Sequence, residues 1–207
     1  MPAVPGEEVL AMKPNDESLA TQHKGWHSRG YIPHFDEPGL IQSITFRLAD
    51  SLPPDVVQRL KEEKDEVSDL ARRQLIETYM DAGYGACHLR DPRIGSLLQE
   101  ALLHFDGERY LLAAWVIMPN HVHVIVEIMS GYPLDKVVGS WKSFTAKEAN
   151  RILKRSGRFW YPDYFDRYIR DDRHYANAVN YIHKNPVKAG LVKRAKEWPF
   201  SSLAYYK

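Results

Sequence analysis

The strongest constraint on the fold comes from two β-rich runs that are separated by only two residues. Residues 109–118 read RYLLAAWVIM, residues 121–129 read HVHVIVEIM, and only Pro119 and Asn120 lie between them. Because so short a connection does not let the chain cross over a sheet, the two runs are expected to pair as an antiparallel hairpin. The sequence therefore predicts a fold that contains an antiparallel sheet.

The rest of the chain alternates between further β-rich runs and amphipathic segments. Runs typical of strands lie at residues 40–48 (LIQSITFRL) and, with many aromatic residues, at 158–170. Segments with apolar residues at helical spacing lie at residues 52–80, 91–105, 134–157 and 171–185. Asp91 and either Asp171 or Asp172 are predicted N-caps. Pro186 is predicted to end the last helix, because proline disfavours a helical conformation in the residue before it.

This order of elements predicts an α+β fold. It corresponds to a ferredoxin-like βαββαβ antiparallel sheet with a helical insertion and a C-terminal helix that carries a tyrosine. A length of 207 residues fits one such domain. We predict a mobile tail at residues 1–25 and a single domain at residues 26–207, with a C-terminal extension from about residue 187.

Composition excludes several other classes of protein. A single cysteine, Cys87, excludes an internal disulfide and a cysteine-based zinc cluster. The sequence has neither a run of about 18 or more apolar residues nor a basic N-terminus followed by an apolar core. We therefore expect an intracellular protein that does not span a membrane.

The net charge of +1 hides an uneven distribution of charge along the chain. Between Trp141 and Lys196 there are 14 Lys or Arg residues and 5 Asp or Glu residues, a net charge of +9, which leaves −8 for the rest. Aromatic residues are interleaved with the basic ones in KRSGRFWYPDYFDRYIRDDR. Such a segment favours binding to nucleic-acid phosphates, although a solvated basic surface on an ordinary enzyme would have the same composition.

Two histidines on the second strand of the hairpin are candidate metal ligands. Because side chains alternate along a strand, His121 and His123 share one face, while the neighbouring valines point to the other face and supply the core. Two adjacent neutral imidazoles bind a divalent metal well. Glu127 shares the histidine face but lies farther along the strand, which makes it a weaker candidate ligand. The alternative is a pair of surface histidines without a role.

The last predicted helix carries a candidate nucleophile. Tyr181 and Asn185 are four residues apart and therefore lie one turn from each other on the same helix face. A tyrosine has an ordinary pKa near 10, so it needs a metal to polarise its target or to help ionise the phenol. Asn185 could add an amide oxygen to the two imidazoles. The alternative is that Tyr181 is a packing residue; Tyr164 and Tyr168 are rival nucleophiles by residue type.

Several spaced motifs resemble the single-tyrosine HUH transposases, and most closely the REP-associated tyrosine transposases. The motifs are WVIMPNHVHVIVE, WKSFTAKEANRIL, DYFDRYIRDDRHYANAVNYIHKNPVKAGLV and EWPFSS, with further similarity in RGYIPHFDEPGLIQSITFRLAD and GYGACHLRDPRI. The resemblance implies a ferredoxin-like core in which His121 and His123 are the HUH metal ligands and Tyr181 is the nucleophile. It implies Asn185 as the third ligand, in a position where better-known relatives have the longer Gln.

The resemblance also implies the reaction and the partners. The expected reaction is a metal-assisted transesterification on single-stranded hairpin DNA of the repetitive extragenic palindromic (REP) type, through a covalent 5′-phosphotyrosine. The expected cofactor is a divalent metal ion, Mg or Mn, with zinc as an alternative. We expect a monomer, or a homodimer that exchanges the tyrosine helix, in the bacterial cytoplasm and associated with the nucleoid. The predicted DNA contacts are basic residues of the C-terminal half: Lys142, Lys147, Arg167, Arg170, Arg173, Lys184 and Lys188.

Two other functions remain open from the sequence. The chain could be a catalytically silent DNA-binding protein that keeps the fold. It could also be a metal-dependent hydrolase of small substrates that uses the two histidines and has no need of Tyr181. A covalent protein–DNA adduct would separate both from the transposase.

Overall fold

The computed structural model describes residues 23–28, 33–62 and 69–206. In chain order its strands and helices are β1 (Gly25–Ser28), β2 (Pro33–Asp36), β3 (Ile41–Arg47), α1 (Pro54–Glu62), α2 (Asp69–Asp81), α3 (Pro92–Leu103), β4 (Tyr110–Ile117), β5 (His121–Ile128), α4 (Leu134–Ile152), β6 (Phe165–Tyr168), α5 (Asp172–Lys188) and α6 (Ser202–Tyr205). Short 3₁₀ turns lie at His88–Arg90 and Ala195–Glu197. In the described part of the chain, no helix has the length and apolar character needed to cross a membrane.

The central sheet has four strands in the order β4-β5-β3-β6, and all of its neighbouring strands are antiparallel. The hairpin predicted from the two-residue connection is β4 and β5, which pair from Tyr110 with Ile128 to Ile117 with Val122. With α3 between β3 and β4, and α4 between β5 and β6, the connectivity is the ferredoxin-like βαββαβ. The predicted α+β fold is confirmed.

The two faces of the sheet are covered by different helices. On the face of the valines, Phe46 is in register with Val122 and stacks on Trp141 of α4, with ring centroids 6.4 Å apart. The Trp141 indole N–H in turn donates to the hydroxyl of the buried Tyr110. On the opposite face, α5 lies against β4 and β5. The helix α5 therefore supplies residues that can contact the histidines of β5.

The predicted helical insertion between β3 and α3 consists of α1 and α2. Its apolar side chains form a small second core of Leu52, Val56, Leu60, Ile76 and Met80. The end of α2 lies close to β5 of the sheet. Its last residue is Asp81.

The prediction that Pro186 ends the last helix is wrong. The helix α5 continues to Lys188, and Pro186 is buried inside it. A proline so close to the C-terminus removes only one helical hydrogen bond. The final turn is still closed by the N–H of Ala189, which donates to the carbonyl of Asn185 at 2.9 Å. Lys188 is therefore part of the tyrosine helix.

A two-stranded ribbon of β1 and β2 precedes the sheet and was not predicted. Its strands have only four residues each, too few to show a clear alternation. The ribbon is attached to the sheet by His34, whose two ring nitrogens contact Asp163 and Asp166 beside and within β6. Residues 23–25, the described end of the predicted tail, form part of this region, whereas residues 1–22 lie outside the described residues.

Candidate active site

The two histidines of β5 lie side by side beneath α5. His121 and His123 are 0% and 2% exposed, and their ring centroids are 4.7 Å apart. They are in register with Arg47 and Thr45 of β3. The alternation of the strand therefore brings both imidazoles to one buried position, so the alternative of two surface histidines is wrong.

The orientation of His121 is fixed by Asn120. The side-chain amide of Asn120 donates to the carbonyl of Tyr84 at 2.9 Å, so its oxygen Oδ1 faces His121 Nδ1 at 2.7 Å. Because Oδ1 can only accept, Nδ1 of His121 carries the proton. In the neutral ring, Nε2 then keeps its lone pair, and it has no hydrogen-bond partner. This is the arrangement that a metal-binding histidine requires.

His123 has a similar arrangement with a hydroxyl. Its Nδ1 lies 2.7 Å from Oγ1 of Thr45, and its Nε2 is buried without a hydrogen-bond partner. When Nδ1 donates to the hydroxyl, Nε2 of His123 also presents a lone pair. Two such atoms, on rings in contact, point to a shared ligand.

Both imidazoles are neutral over the ordinary pH range. Burial lowers the pKa of His121 well below its usual value, and the neighbouring His123 and Lys188 lower it further. Burial also lowers the pKa of His123 to about 4, where the charge of Asp81 acts in the opposite direction. Neutral imidazoles are the form that binds a metal.

Tyr181 and Asn185 of α5 approach the histidines. The ring of Tyr181 meets that of His123 edge to face, with centroids 5.4 Å apart. Asn185 is 1% exposed. The phenol oxygen and both polar atoms of the amide are buried without a hydrogen bond of normal geometry, although the amide lies close enough to the phenol to lower its pKa. Since a buried polar group without a partner is costly, these atoms also point to a missing ligand.

The environment of Tyr181 keeps its phenol protonated. Burial raises the pKa of Tyr181, and the charges of Glu77 and Asp81 raise it further. An added positive charge near the oxygen would therefore be needed to stabilise the phenolate.

The side chains at this site fit a divalent metal ion, but they do not form a complete site of His, Cys, Asp and Glu ligands. Among the described residues, no three or more His, Cys, Asp or Glu side chains come together as a group that could hold a metal. The structure brings the two imidazoles of His121 and His123 together, and the buried amide of Asn185 next to Tyr181 is the predicted third ligand. An ion there would bind the unpartnered Nε2 atoms and the amide oxygen.

The sequence model of the family "Transposase IS200 like" matches residues 90–185, a span that contains all four predicted metal and catalytic residues. Residues 90–185 are therefore similar to the IS200-like transposases. The predicted resemblance is confirmed.

Two individual proteins show the same resemblance in sequence. A REP-associated tyrosine transposase from Escherichia coli (strain K12) is 30% identical over 108 residues, which cover 52% of this chain and 63% of that protein. A relative from Haemophilus influenzae is 31% identical over 98 residues, which cover 42% of this chain and 55% of that protein. The chain thus matches less than two thirds of the length of either relative.

The fold is also shared with a solved structure, that of a REP-associated tyrosine transposase bound to a REP hairpin. The two chains are 22% identical, with a TM-score of 0.52, and the likeness covers 83% of this chain and 81% of the other. This likeness shows that the two chains share a fold.

The predicted DNA contacts differ in their surroundings. Lys147, Arg167, Arg170, Arg173 and Lys184 are exposed. The ammonium of Lys142 instead donates to the carbonyls of Tyr161, Pro162 and Asp163 at 2.8, 2.7 and 3.4 Å, contacts that compete with binding to a phosphate. Lys188 forms an ion pair with Asp81 at 2.6 Å. Whether any of them contacts DNA stays a prediction.

Three residues that surround the candidate site were not predicted from the sequence. Thr45 and Asn120 orient the two imidazoles, and Asp81 lies 4.0 Å from the Nε2 of His121. Asn120 was visible as the residue before the first histidine. Thr45 and Asp81 could not be found from spacing, because they come from other elements.

Proposed function

We propose that this chain is a transposase that cleaves and rejoins single-stranded DNA through a covalent bond to Tyr181. The observation that carries the proposal is the meeting of Tyr181 with two buried imidazoles whose Nε2 atoms have no partner. The family match over residues 90–185 supports it. A hydrolase of small substrates would give no reason for a tyrosine at this point.

In the proposed reaction, the phenol oxygen of Tyr181 attacks a backbone phosphate. A bond forms between that oxygen and phosphorus, and the bond to the 3′ oxygen breaks, which leaves a 5′-phosphotyrosine and a free 3′-OH. Over the whole step the phenol proton ends on the 3′ oxygen. Because the phosphoester bond is kept, a 3′-OH can attack the phosphotyrosine and rejoin the strand without another source of energy. This agrees with the lack of a GxxxxGK[ST] phosphate-binding loop in the sequence.

The chain's own residues position the reacting oxygen. The edge-to-face contact with His123 fixes the ring of Tyr181, and burial excludes water from its hydroxyl. Asn120 and Thr45 hold the two imidazoles with their Nε2 lone pairs free. A divalent metal, Mg or Mn with zinc as an alternative, would be held by His121, His123 and Asn185 and would supply positive charge to the phosphate and the phenolate.

The proposed substrate is single-stranded hairpin DNA, like the REP hairpin bound to the structurally similar transposase. The exposed basic residues Lys147, Arg167, Arg170, Arg173 and Lys184, together with Lys142 and Lys188, are the proposed phosphate contacts. Since the tyrosine and the histidines come from one chain, we propose that a monomer acts by itself. Its proposed location is the bacterial cytoplasm, with the nucleoid.

The deciding experiment looks for the covalent adduct. Purified wild type and Tyr181→Phe are mixed with end-labelled hairpin DNA that carries single-stranded flanks from the protein's own genomic neighbourhood. Each mixture contains Mg²⁺, Mn²⁺ or EDTA, and the products are separated on denaturing gels. We expect an adduct in wild type with metal, and none in Tyr181→Phe or with EDTA.

Tyr168→Phe is the matched control, because Tyr168 is exposed and is a rival nucleophile by type. It should form the adduct as wild type does. DNA binding without any adduct would instead favour the silent binding protein. Neither binding nor adduct, with metal-dependent hydrolysis of small esters, would favour the hydrolase.

A further inference from the structure

The end of α2 brings the carboxylate of Asp81 to the candidate metal site. Asp81 is not one of the predicted ligands. Asp81 is the last residue of α2, and its side chain is 16% exposed. Its Oδ1 is buried without a hydrogen-bond partner and lies 4.0 Å from the unpartnered Nε2 of His121. Its Oδ2 is bound by the ammonium of Lys188 at 2.6 Å.

The distance between Asp81 and His121 suits two ligands of one ion. Two atoms that are each bound to the same ion, with bonds of about 2.1 Å, can be at most about 4.2 Å apart. A hydrogen bond would need a distance of about 3 Å. The 4.0 Å between Oδ1 and Nε2 is thus too long for a hydrogen bond and lies within this limit. Neighbouring ligands at tetrahedral or octahedral angles lie about 3.0–3.4 Å apart, so an ion would draw Asp81 slightly closer.

The chemistry of the donor set also favours an added anionic oxygen. Two imidazoles and one amide are neutral, and imidazole nitrogen suits Zn²⁺ better than it suits the hard ions Mg²⁺ and Mn²⁺, which prefer carboxylate oxygen. Among the charged groups that act on His123 and on Tyr181, Asp81 is common to both. It is therefore close to the ligands and to the nucleophile.

We propose that Asp81 is the anionic ligand of this metal site and that it tunes the site toward Mg²⁺ and Mn²⁺. The inference rests on the proposed function, since it concerns the same ion. In the structure, Oδ2 of Asp81 is held by Lys188, and the carboxylate and the two imidazoles of the described residues do not yet form a closed group. Lys188 therefore competes with the ion for Asp81. The helical insertion would then supply part of the active site rather than only packing.

The test measures metal binding in the absence of DNA, by Mn²⁺ titration followed with electron paramagnetic resonance and by calorimetry with Zn²⁺. Asp81→Asn should bind Mn²⁺ at least about tenfold more weakly than wild type and should lose much less of its Zn²⁺ affinity. Glu127→Gln is the matched control, because it removes a carboxylate from the same strand face as the histidines; its Mn²⁺ affinity should equal that of wild type.

Lys188→Met separates ligation from the ion pair. It breaks the same ion pair as Asp81→Asn but keeps the carboxylate, so we expect Mn²⁺ binding at least as tight as in wild type. Equal weakening in both variants would show that only the ion pair matters and would overturn the inference. Wild-type affinity in Asp81→Asn would also overturn it and leave the proposed function standing. If wild type binds no Mn²⁺ and forms no metal-dependent adduct, the proposed function itself fails.

Discussion

Two groups of buried histidines in this chain have opposite chemistry. His34, at the ribbon, is 0% exposed, as is His121 of β5. Both ring nitrogens of His34 face carboxylates, Nδ1 that of Asp166 and Nε2 that of Asp163 at 3.0 Å. In contrast, each histidine of β5 contacts an oxygen at Nδ1 only and leaves Nε2 without a partner.

The partners, rather than the degree of burial, decide the protonation state. Burial alone would lower the pKa of His34, but the hydrogen bonds and charges of Asp163 and Asp166 outweigh it and raise the pKa to about 9. His34 is therefore an imidazolium that joins the ribbon to β6. The pKa of His123 is lowered to about 4, so this ring is neutral and can act as a ligand. The first histidine is a structural cation, whereas those of β5 form a candidate binding site.

The largest expected difference is in stability when each type of histidine is replaced by leucine. His34→Leu should lower the free energy of unfolding by about 3–5 kcal/mol, because it leaves two buried carboxylates without their cation. His121→Leu should cost only about 1–2 kcal/mol, since it loses one hydrogen bond and nearly conserves volume. Urea denaturation in EDTA measures both values.

The stabilisation by added Mn²⁺ is the control for these two variants, because it depends on metal binding rather than on the ribbon. Added Mn²⁺ should stabilise His34→Leu as it stabilises wild type, and it should give no stabilisation of His121→Leu. Equal losses of stability in EDTA would mean that the carboxylates of Asp163 and Asp166 do not depend on His34.

The geometry of the β5 site was accessible from the sequence because it follows local periodicity. Alternation along a strand brings His121 and His123 to one face, and a spacing of four brings Tyr181 and Asn185 to one turn of a helix. The antiparallel hairpin followed from a two-residue connection. Each of these statements depends on residues that are near each other in the chain.

The features that could not be predicted from the sequence depend on contacts between distant parts of the chain. Asp81 meets Lys188 across 107 positions, and His34 meets Asp166 across 132 positions. No local sequence pattern indicates which of these distant residues meet. The four-residue strands of the ribbon are also too short to show a strand period. Pro186 was misjudged because it lies in the last turn of α5, where a proline removes only one helical hydrogen bond and does not stop the helix.

Stability should change with pH in opposite directions at the two sites. The pKa of folded His34 lies above the ordinary value of 6.5, at about 9, so its contribution is complete below about pH 6.5 and is lost as the pH rises through 9. The total loss is about 3 kcal/mol. For His123, the folded pKa of about 4 lies below the ordinary value, so stability is lost as the pH falls from 6.5 toward 4.

Urea denaturation in EDTA from about pH 4 to about pH 9 measures both the acid and the alkaline decline in stability. A variant with His34→Gln, Asp163→Asn and Asp166→Asn removes the charges of His34 and its two partners and should lack the alkaline decline while it keeps the acid one. An unchanged alkaline decline in this variant would assign the effect to groups other than His34.

The smallest expected effect compares two buried asparagines, one with partners and one without. Asn120 is 0% exposed and uses its amide nitrogen and oxygen in hydrogen bonds to Tyr84 and His121. Asn185 is 1% exposed, and neither polar atom of its amide has a partner. Because a buried polar group without a partner costs about 1–3 kcal/mol, Asn185→Leu should raise the free energy of unfolding in EDTA by about 1 kcal/mol.

Asn120→Leu should instead lower the free energy of unfolding by about 1–2 kcal/mol, since it leaves the carbonyl of Tyr84 and the Nδ1–H of His121 unpaired. Both variants should bind Mn²⁺ more weakly than wild type, Asn185→Leu because it loses a ligand and Asn120→Leu because His121 is no longer oriented. Stabilisation together with weaker metal binding in Asn185→Leu would identify this amide as one that is kept for binding at a cost to folding. Destabilisation equal to that of Asn120→Leu would make Asn185 an ordinary structural residue and would remove it from the set of ligands.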